Sequence, residues 1–201
     1  MSDPLESPDL LADRPFAALL AEVASTTPAP GGGSAAGWAG ALGAALVEMT
    51  AGFTIKRAEE AEHRERMAEI AIRARSLRRR AIELAQRELH AYQPVLNALR
   101  LPTTDPDRDA RLDAALSEAA ETPLALARVC GEITALALEA SRTGTLHLRG
   151  DALAGLFLAE GACQAAARLV QINLAGRPHD ERLVELESLT HRAAANRAEA
   201  M

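Results

Sequence analysis

Residues 25–47 contain no charged side chain, two prolines and six glycines, and Glu48 follows at once. A run this long and uncharged has few options: a membrane span, a phosphate-cradling loop, or a helix buried on nearly every side. Pro28, Pro30 and the triplet Gly31, Gly32 and Gly33 break its first part. The remainder is rich in Ala and Gly and only weakly hydrophobic, which disfavours insertion into a bilayer. The glycines also miss the G-x-x-x-x-G-K-[ST] spacing of a phosphate loop, and no strand precedes them as a dinucleotide fingerprint requires. What remains is a glycine loop opening onto the N-terminus of a buried helix, where unbonded N–H groups favour an anion or a polarised oxygen. Gly33, Gly37, Gly40 and Gly43 recur at intervals of four, three and three, so one side of that helix is thin. Glycine inside a helix costs about 1 kcal/mol. Close approach by another helix offsets that, whether the partner belongs to the same chain or to a second copy. Ser34 is either an N-cap or a hydroxyl facing a ligand.

The rest of the chain agrees with helices. Apolar residues make up 48% of the sequence but aromatics only 2%, so the core must be built from Ala, Leu, Val and Ile, which suits closely spaced helices better than a β-sandwich. Residues 1–15 read as a loose leader rich in acids and proline, without the basic and apolar regions of a signal peptide. Residues 16–201 read as a single domain. A short amphipathic helix precedes the glycine loop, and the buried helix runs over about 34–54. A long third helix spans about 58–99, with Met67, Ile70, Leu77, Leu84 and Ala91 as its apolar stripe and Pro94 as a kink or break. A short helix at 109–120 follows. Thr122 then caps the next helix, which carries Pro123 at its first position and stops before Gly144. Helices at about 151–174 and 180–200 complete the chain. The spacing predicts an all-α, antiparallel bundle of about six helices, several of them long.

The net charge of −6 gives no footprint for nucleic acid. Cys130 and Cys163 form no C-x-x-C pair and read as small apolar core residues of a reduced, cytoplasmic protein. Glu48 closes the apolar run and is expected to pair with an arginine. Arg73, Arg75, Arg78, Arg79 and Arg80 are spread over two turns and cannot all face one site. They are expected mostly to answer acids on adjacent helices.

Four stretches in order carry a family resemblance: "PAPGGGSAAGWAGALGAALVEM", "ELAQRELHAYQPVLNALRLP", "TPLALA" and "GDALAGLFLAEGACQAAARLVQINL". Together they resemble the cyclodeaminase/cyclohydrolase family over nearly the whole chain. The resemblance implies an all-helical fold that dimerises with a second copy through helices. It implies a tetrahydrofolate carrying a one-carbon unit as substrate, with no metal and no redox cofactor. Two activities fall within it: closing 5-formiminotetrahydrofolate to the methenyl form with release of ammonia, and opening the methenyl ring with water to 10-formyltetrahydrofolate. Glu88 stands where family members usually carry Asp, and Gly150–Asp151 where they usually carry Ser-Asp. Leu169–Val170 replaces a usual Asn-Val.

Both reactions pass through a tetrahedral carbon and need a group that moves a proton, so carboxylates tuned by burial are the candidates. On the resemblance, Glu88 and Asp151 are the catalytic acids, against a solvated helix face and a helix cap as their plain alternatives. Pro30, Gly31, Gly32, Gly33, Ser34, Tyr92 and Asn173 are the expected substrate contacts, with His90 a further proton carrier or a surface residue. Two other functions stay open at this point: a folate- or anion-binding dimer without catalysis, motivated by the lost Ser and Asn, and a helical structural protein without a ligand.

Overall fold

The computed structural model describes residues 14–27 and 29–201, so most of the expected leader lies outside the described residues. Those residues form helices α1 (Phe16–Val23), α2 (Gly32–Ile55), α3 (Ala61–Ala91), α4 (Gln93–Leu99), α5 (Arg108–Ala119), α6 (Glu121–Thr143), α7 (Arg149–Asn173) and α8 (Glu181–Ala200). A short 3-10 turn, Leu146–Leu148, precedes α7. No strand occurs among the described residues.

One boundary follows the sequence expectation at Pro94 and one departs from it, each for a clear reason. The long third helix ends at Ala91, and α4 restarts at Gln93 with Pro94 in its first turn, where the missing N–H loses no intrahelical bond. Thr122 does not cap α6. The backbone bonds instead run almost unbroken from α5 into α6: Ala120 donates to the Leu116 carbonyl, and Leu124 donates to the Ala120 carbonyl. Ala119 and Ala120 are buried at this junction, so the chain has no room there for a polar cap. By contrast α8 is capped as its sequence suggests, with Asp180 accepting from the Arg182 N–H at 3.0 Å.

α2 lies at the centre of the packing, and its glycines show why. A β-carbon added to Gly37 would stand 2.7 Å from the Ala85 Cβ of α3, and one on Gly40 would stand 2.7 Å from the Cys130 Sγ of α6. One on Gly43 would stand 2.7 Å from the Gly155 carbonyl oxygen of α7, and Gly155 meets the Gly43 carbonyl in return. The thin face therefore packs against helices of the same chain, which corrects the idea that it serves the contact between two copies. Cys130 and Cys163 are both free and buried in this interior. α2 and the segment Leu146–Asn173 are each long and apolar enough to cross a membrane. In this fold they meet each other at the Gly43–Gly155 contact.

Glu48, at 2.7 Å from Arg75 and 3.0 Å from Arg78, joins α2 to α3. Burial raises its proton affinity, but the hydrogen bonds from Arg75 and Arg78 outweigh that and hold the carboxyl below its ordinary range. Arg80 pairs with Glu83, and Arg73 reaches Glu132 at 4.0 Å. The arginine run is thus spent largely on neighbouring acids, as its spacing suggests.

The glycine contacts make a direct prediction. Gly43→Ala should destabilise the protein by about 1–3 kcal/mol, because its methyl group meets backbone that cannot yield. Gly52→Ala, whose β-carbon would meet nothing within 4 Å, should be neutral or stabilising. Urea unfolding of the two variants checks this; equal midpoints would contradict the packing argument.

Candidate active site

The last turns of α3 carry Glu88, Leu89 and Tyr92 to the mouth of the glycine loop. Ala29 and the three glycines Gly31, Gly32 and Gly33 form one wall of a cavity of about 300 Å³. Glu88, Leu89 and Tyr92 form a second wall, continued by Gln93 and Leu96 of α4. Leu169, Ile172 and Asn173 at the end of α7 close the third side. Gly31 is the N-cap of α2, so the first amides of the helix, which lack acceptors within it, lie on this wall.

Glu88 is the distinctive group. A β-carbon on Gly33 would lie 2.3 Å from both its Cγ and its Oε1, so the side chain rests directly on the glycine Cα. Its Oε2 is buried and has no hydrogen-bond partner. Burial pushes its carboxyl up to about 7. Tyr92, which is 45% exposed, is the only other titratable residue in the lining among the described residues.

The expected site residues divide clearly. Gly31, Gly32, Gly33, Glu88, Tyr92 and Asn173 come together around one cavity. Asn173 also has a structural duty: its amide donates to the Ala119 carbonyl at 3.0 Å and ties the end of α7 to the end of α5. Pro30 is buried next to the lining without joining it. Ser34 is neither cap nor ligand-facing hydroxyl. It is fully buried, and its Oγ donates to the Ala85 carbonyl of α3 at 2.9 Å. Asp151 lies in the first turn of α7, whereas the cavity is at the last turn, and 22 residues of helix between Asp151 and Asn173 span about 33 Å. One chain therefore cannot bring Asp151 to Glu88. Nor is Asp151 the cap of α7, which begins at Arg149 after Leu148. His90 is exposed and outside the lining.

Leu89, Gln93, Leu96 and Ile172 line the cavity without having been singled out in the sequence, and Leu169, noted there only as replacing the family's usual Asn, lines it as well. Helical spacing was the available signal: Gln93 follows Leu89 by four, and Asn173 follows Leu169 by four. A larger cleft of about 560 Å³ lies between α6 and α8. Its Arg128 and Glu185 satisfy each other through two hydrogen bonds of 2.6 Å, and its other carboxyl, Glu132, is exposed and 4.0 Å from Arg73, so neither is a buried, unpartnered acid like Glu88.

The fold thus sets a half-buried carboxyl, whose Oε2 has no hydrogen-bond partner, against a helix-opening glycine loop. The formiminotransferase-cyclodeaminase family model matches residues 15–191, and the chain belongs to that family. It is 35% identical over 181 residues to the methenyltetrahydrofolate cyclohydrolase of Methylorubrum extorquens, covering 86% of this chain and 87% of that protein. It is 29% identical over 145 residues to the formimidoyltransferase-cyclodeaminase of Sus scrofa, covering 70% of this chain but 27% of that longer protein. Its fold matches the crystal structure of formiminotetrahydrofolate cyclodeaminase from Thermotoga maritima with a TM-score of 0.85 and 25% identity, over 94% of each chain.

The raised carboxyl has a consequence for stability. Glu88 binds its proton more tightly in the folded protein, near 7, than at the ordinary value of 4.5. Its contribution is therefore near neutral at pH 4, turns unfavourable as pH rises from about 4.5 to about 7, where the unfolded chain ionises while the folded carboxyl keeps its proton, and is constant above that. Glu88→Gln should match the parent near pH 4 and exceed its stability by about 2 kcal/mol at pH 8, allowing for partial solvent exposure. Urea midpoints across that range test this; a constant difference with pH would contradict it.

Proposed function

We propose that this cavity performs acid–base chemistry at the one-carbon bridge of a tetrahydrofolate, with methenyltetrahydrofolate cyclohydrolysis as the favoured reaction. The observation that carries the reading is the buried, partnerless Oε2 of Glu88 on the wall of the glycine-loop cavity. The chain is a folate one-carbon enzyme acting on C–N bonds. The cyclohydrolase relative, matched over most of both chains, supports the choice of water as the attacking group.

In this reading Glu88, as the carboxylate, takes a proton from water as the water oxygen adds to the methenyl carbon. The carboxyl then returns that proton to the leaving ring nitrogen as its C–N bond breaks. The hydroxyl on the tetrahedral carbon loses its proton to solvent as the formyl C=O forms. The first amides of α2, with Gly31, Gly32 and Gly33, stabilise the oxygen on which charge develops. Leu169 and Ile172 contact the pterin face, while Tyr92 and Asn173 orient its polar edge. A cavity of about 300 Å³ suits the ring system and leaves the tail outside. The steps are a water addition, a C–N cleavage and the accompanying proton transfers, with no change of oxidation state, and call for no metal or redox cofactor.

The formimino reaction is the second reading, favoured by the close structural match to a protein named as a cyclodeaminase. There the protonated Glu88 donates to ammonia as it leaves.

The protein acts in the cytoplasm as a homodimer in this proposal. Leu42 and Phe53 of α2 and Phe157 and Leu158 of α7 are between 38% and 49% exposed, an apolar surface suited to a second copy. Asp151 enters only as a contribution from that second copy, since its own chain holds it a helix length away.

Methenyltetrahydrofolate absorbance should fall faster with the protein than with buffer. Glu88→Gln should lose about 10²–10⁴-fold of that rate. The rate should depend on a group titrating near 7. Unaccelerated decay together with no ammonia from the formimino substrate would overturn the function. Mixing Glu88→Gln with Asp151→Asn chains should restore part of the activity through hybrid dimers. No recovery in verified hybrids would remove Asp151 from the site.

A further inference from the structure

The geometry points to Gly33, through its missing side chain, and Ser34, through its buried hydroxyl, as a positioning pair that seats the Glu88 carboxyl at the cavity wall, with Ser34 making no contact to the substrate. The inference rests on the reading of Glu88 as the acid–base group.

Three consecutive contacts join the start of α2 to the end of α3. Gly37 admits Ala85, whose Cβ would be 2.7 Å from an added β-carbon, and Ala81, whose carbonyl oxygen would be 3.0 Å away. One turn nearer the loop, the Ser34 hydroxyl donates to the Ala85 carbonyl at 2.9 Å and is 0% exposed, so it has no surface to offer a substrate. At the next step Gly33 provides the bare Cα on which Glu88 lies, its Cγ, Cδ and Oε1 all 2.3–2.4 Å from where a β-carbon would be. Ser34 thus fixes the approach of α3 three residues before Glu88, and Gly33 leaves the space that the approach creates. Without the first the carboxyl has no fixed floor. Without the second it cannot occupy that floor.

The two residues differ in a way that makes the inference testable. The atoms that an alanine at 33 would displace are the end of one flexible side chain, not backbone. Gly33→Ala therefore keeps its fold and swings Glu88 away from the helix start. Ser34→Ala removes one buried hydrogen bond with almost no change in shape.

The experiment measures kcat, KM and their pH dependence for Ser34→Ala and Gly33→Ala, with Gly52→Ala as a control remote from the cavity. It adds a carbon-13 NMR titration of Glu88, assigned with Glu88→Gln. Both variants should lose about tenfold or more in kcat with KM within about twofold, since a misplaced proton-transfer group costs the transition state rather than binding. In both, the Glu88 titration should move from about 7 towards the ordinary 4.5, carrying the kinetic pH limb with it. A rise in KM at unchanged kcat would make Ser34 a substrate contact and overturn the inference. So would a Glu88 titration that stays near 7 in both variants. Should Ser34→Ala fail to fold, Gly33→Ala decides alone. Full activity in Glu88→Gln would end the functional reading instead, while the titration would still decide whether the pair seats the carboxyl.

Discussion

Backbone-to-backbone approach along α2 sets the rest of the molecule. At Gly43 and Gly155 two helices meet through carbonyl oxygens, with no side chain between them. At Gly37 the same closeness brings α3 in, and at Gly40 it admits a cysteine of α6. Each glycine gives up about 1 kcal/mol of helix propensity, and the return is a core in which small side chains are enough to exclude water. Ala44, Val47 and Ala51 of α2 are all fully buried although none is large. A chain with 2% aromatics could not fill wider gaps between its helices, so the composition and the glycine spacing describe one solution.

Two carboxylates flank this centre, and their environments differ. Glu48 has two guanidinium partners, which keep it charged and fixed. Glu88 has none, and burial is what raises its proton affinity. Both sit where α2 meets α3. The arginine run of α3 lies two to four turns earlier and is largely engaged with Glu48, Glu83 and Glu132, while Arg87, next in sequence to Glu88, is exposed and makes no ion pair with it. Spending the cations at one end of the seam leaves the other end with an uncompensated acid. That asymmetry separates a structural carboxylate from the one proposed to react more clearly than residue type does.

Much of this was legible in the sequence. Apolar spacing gave the helices, Pro94 gave the break before α4, and Gly144 gave the end of α6. The glycine loop and Glu88 were identified as parts of one site, and the cavity contains both. The failures share a cause: they concern contacts between residues distant in the chain. The Ser34 hydroxyl turns to a carbonyl 51 residues away, which no local motif announces. Periodicity finds the thin face of α2 but not whether its partner is the same chain. Asp151 and Glu88 were joined by family order, and order along a chain says nothing about the length of helix between two ends of a site.

On the proposed reading, the cavity wall accounts for a single carboxyl serving both directions of proton transfer. Leu89, Leu96, Leu169 and Ile172 give the cavity around Glu88 an apolar side, and the first amides of α2 give it a polar one. Full enclosure would hold the proton permanently, and an arginine neighbour would expel it permanently. Partial enclosure leaves the carboxyl near 7, where taking a proton and giving it back cost similar amounts. A reaction that removes a proton from water and returns one to nitrogen within the same turnover needs that balance. Gly33 is where the fold supplies it, because only a residue without a side chain lets the carboxyl lie low enough to lose part of its water.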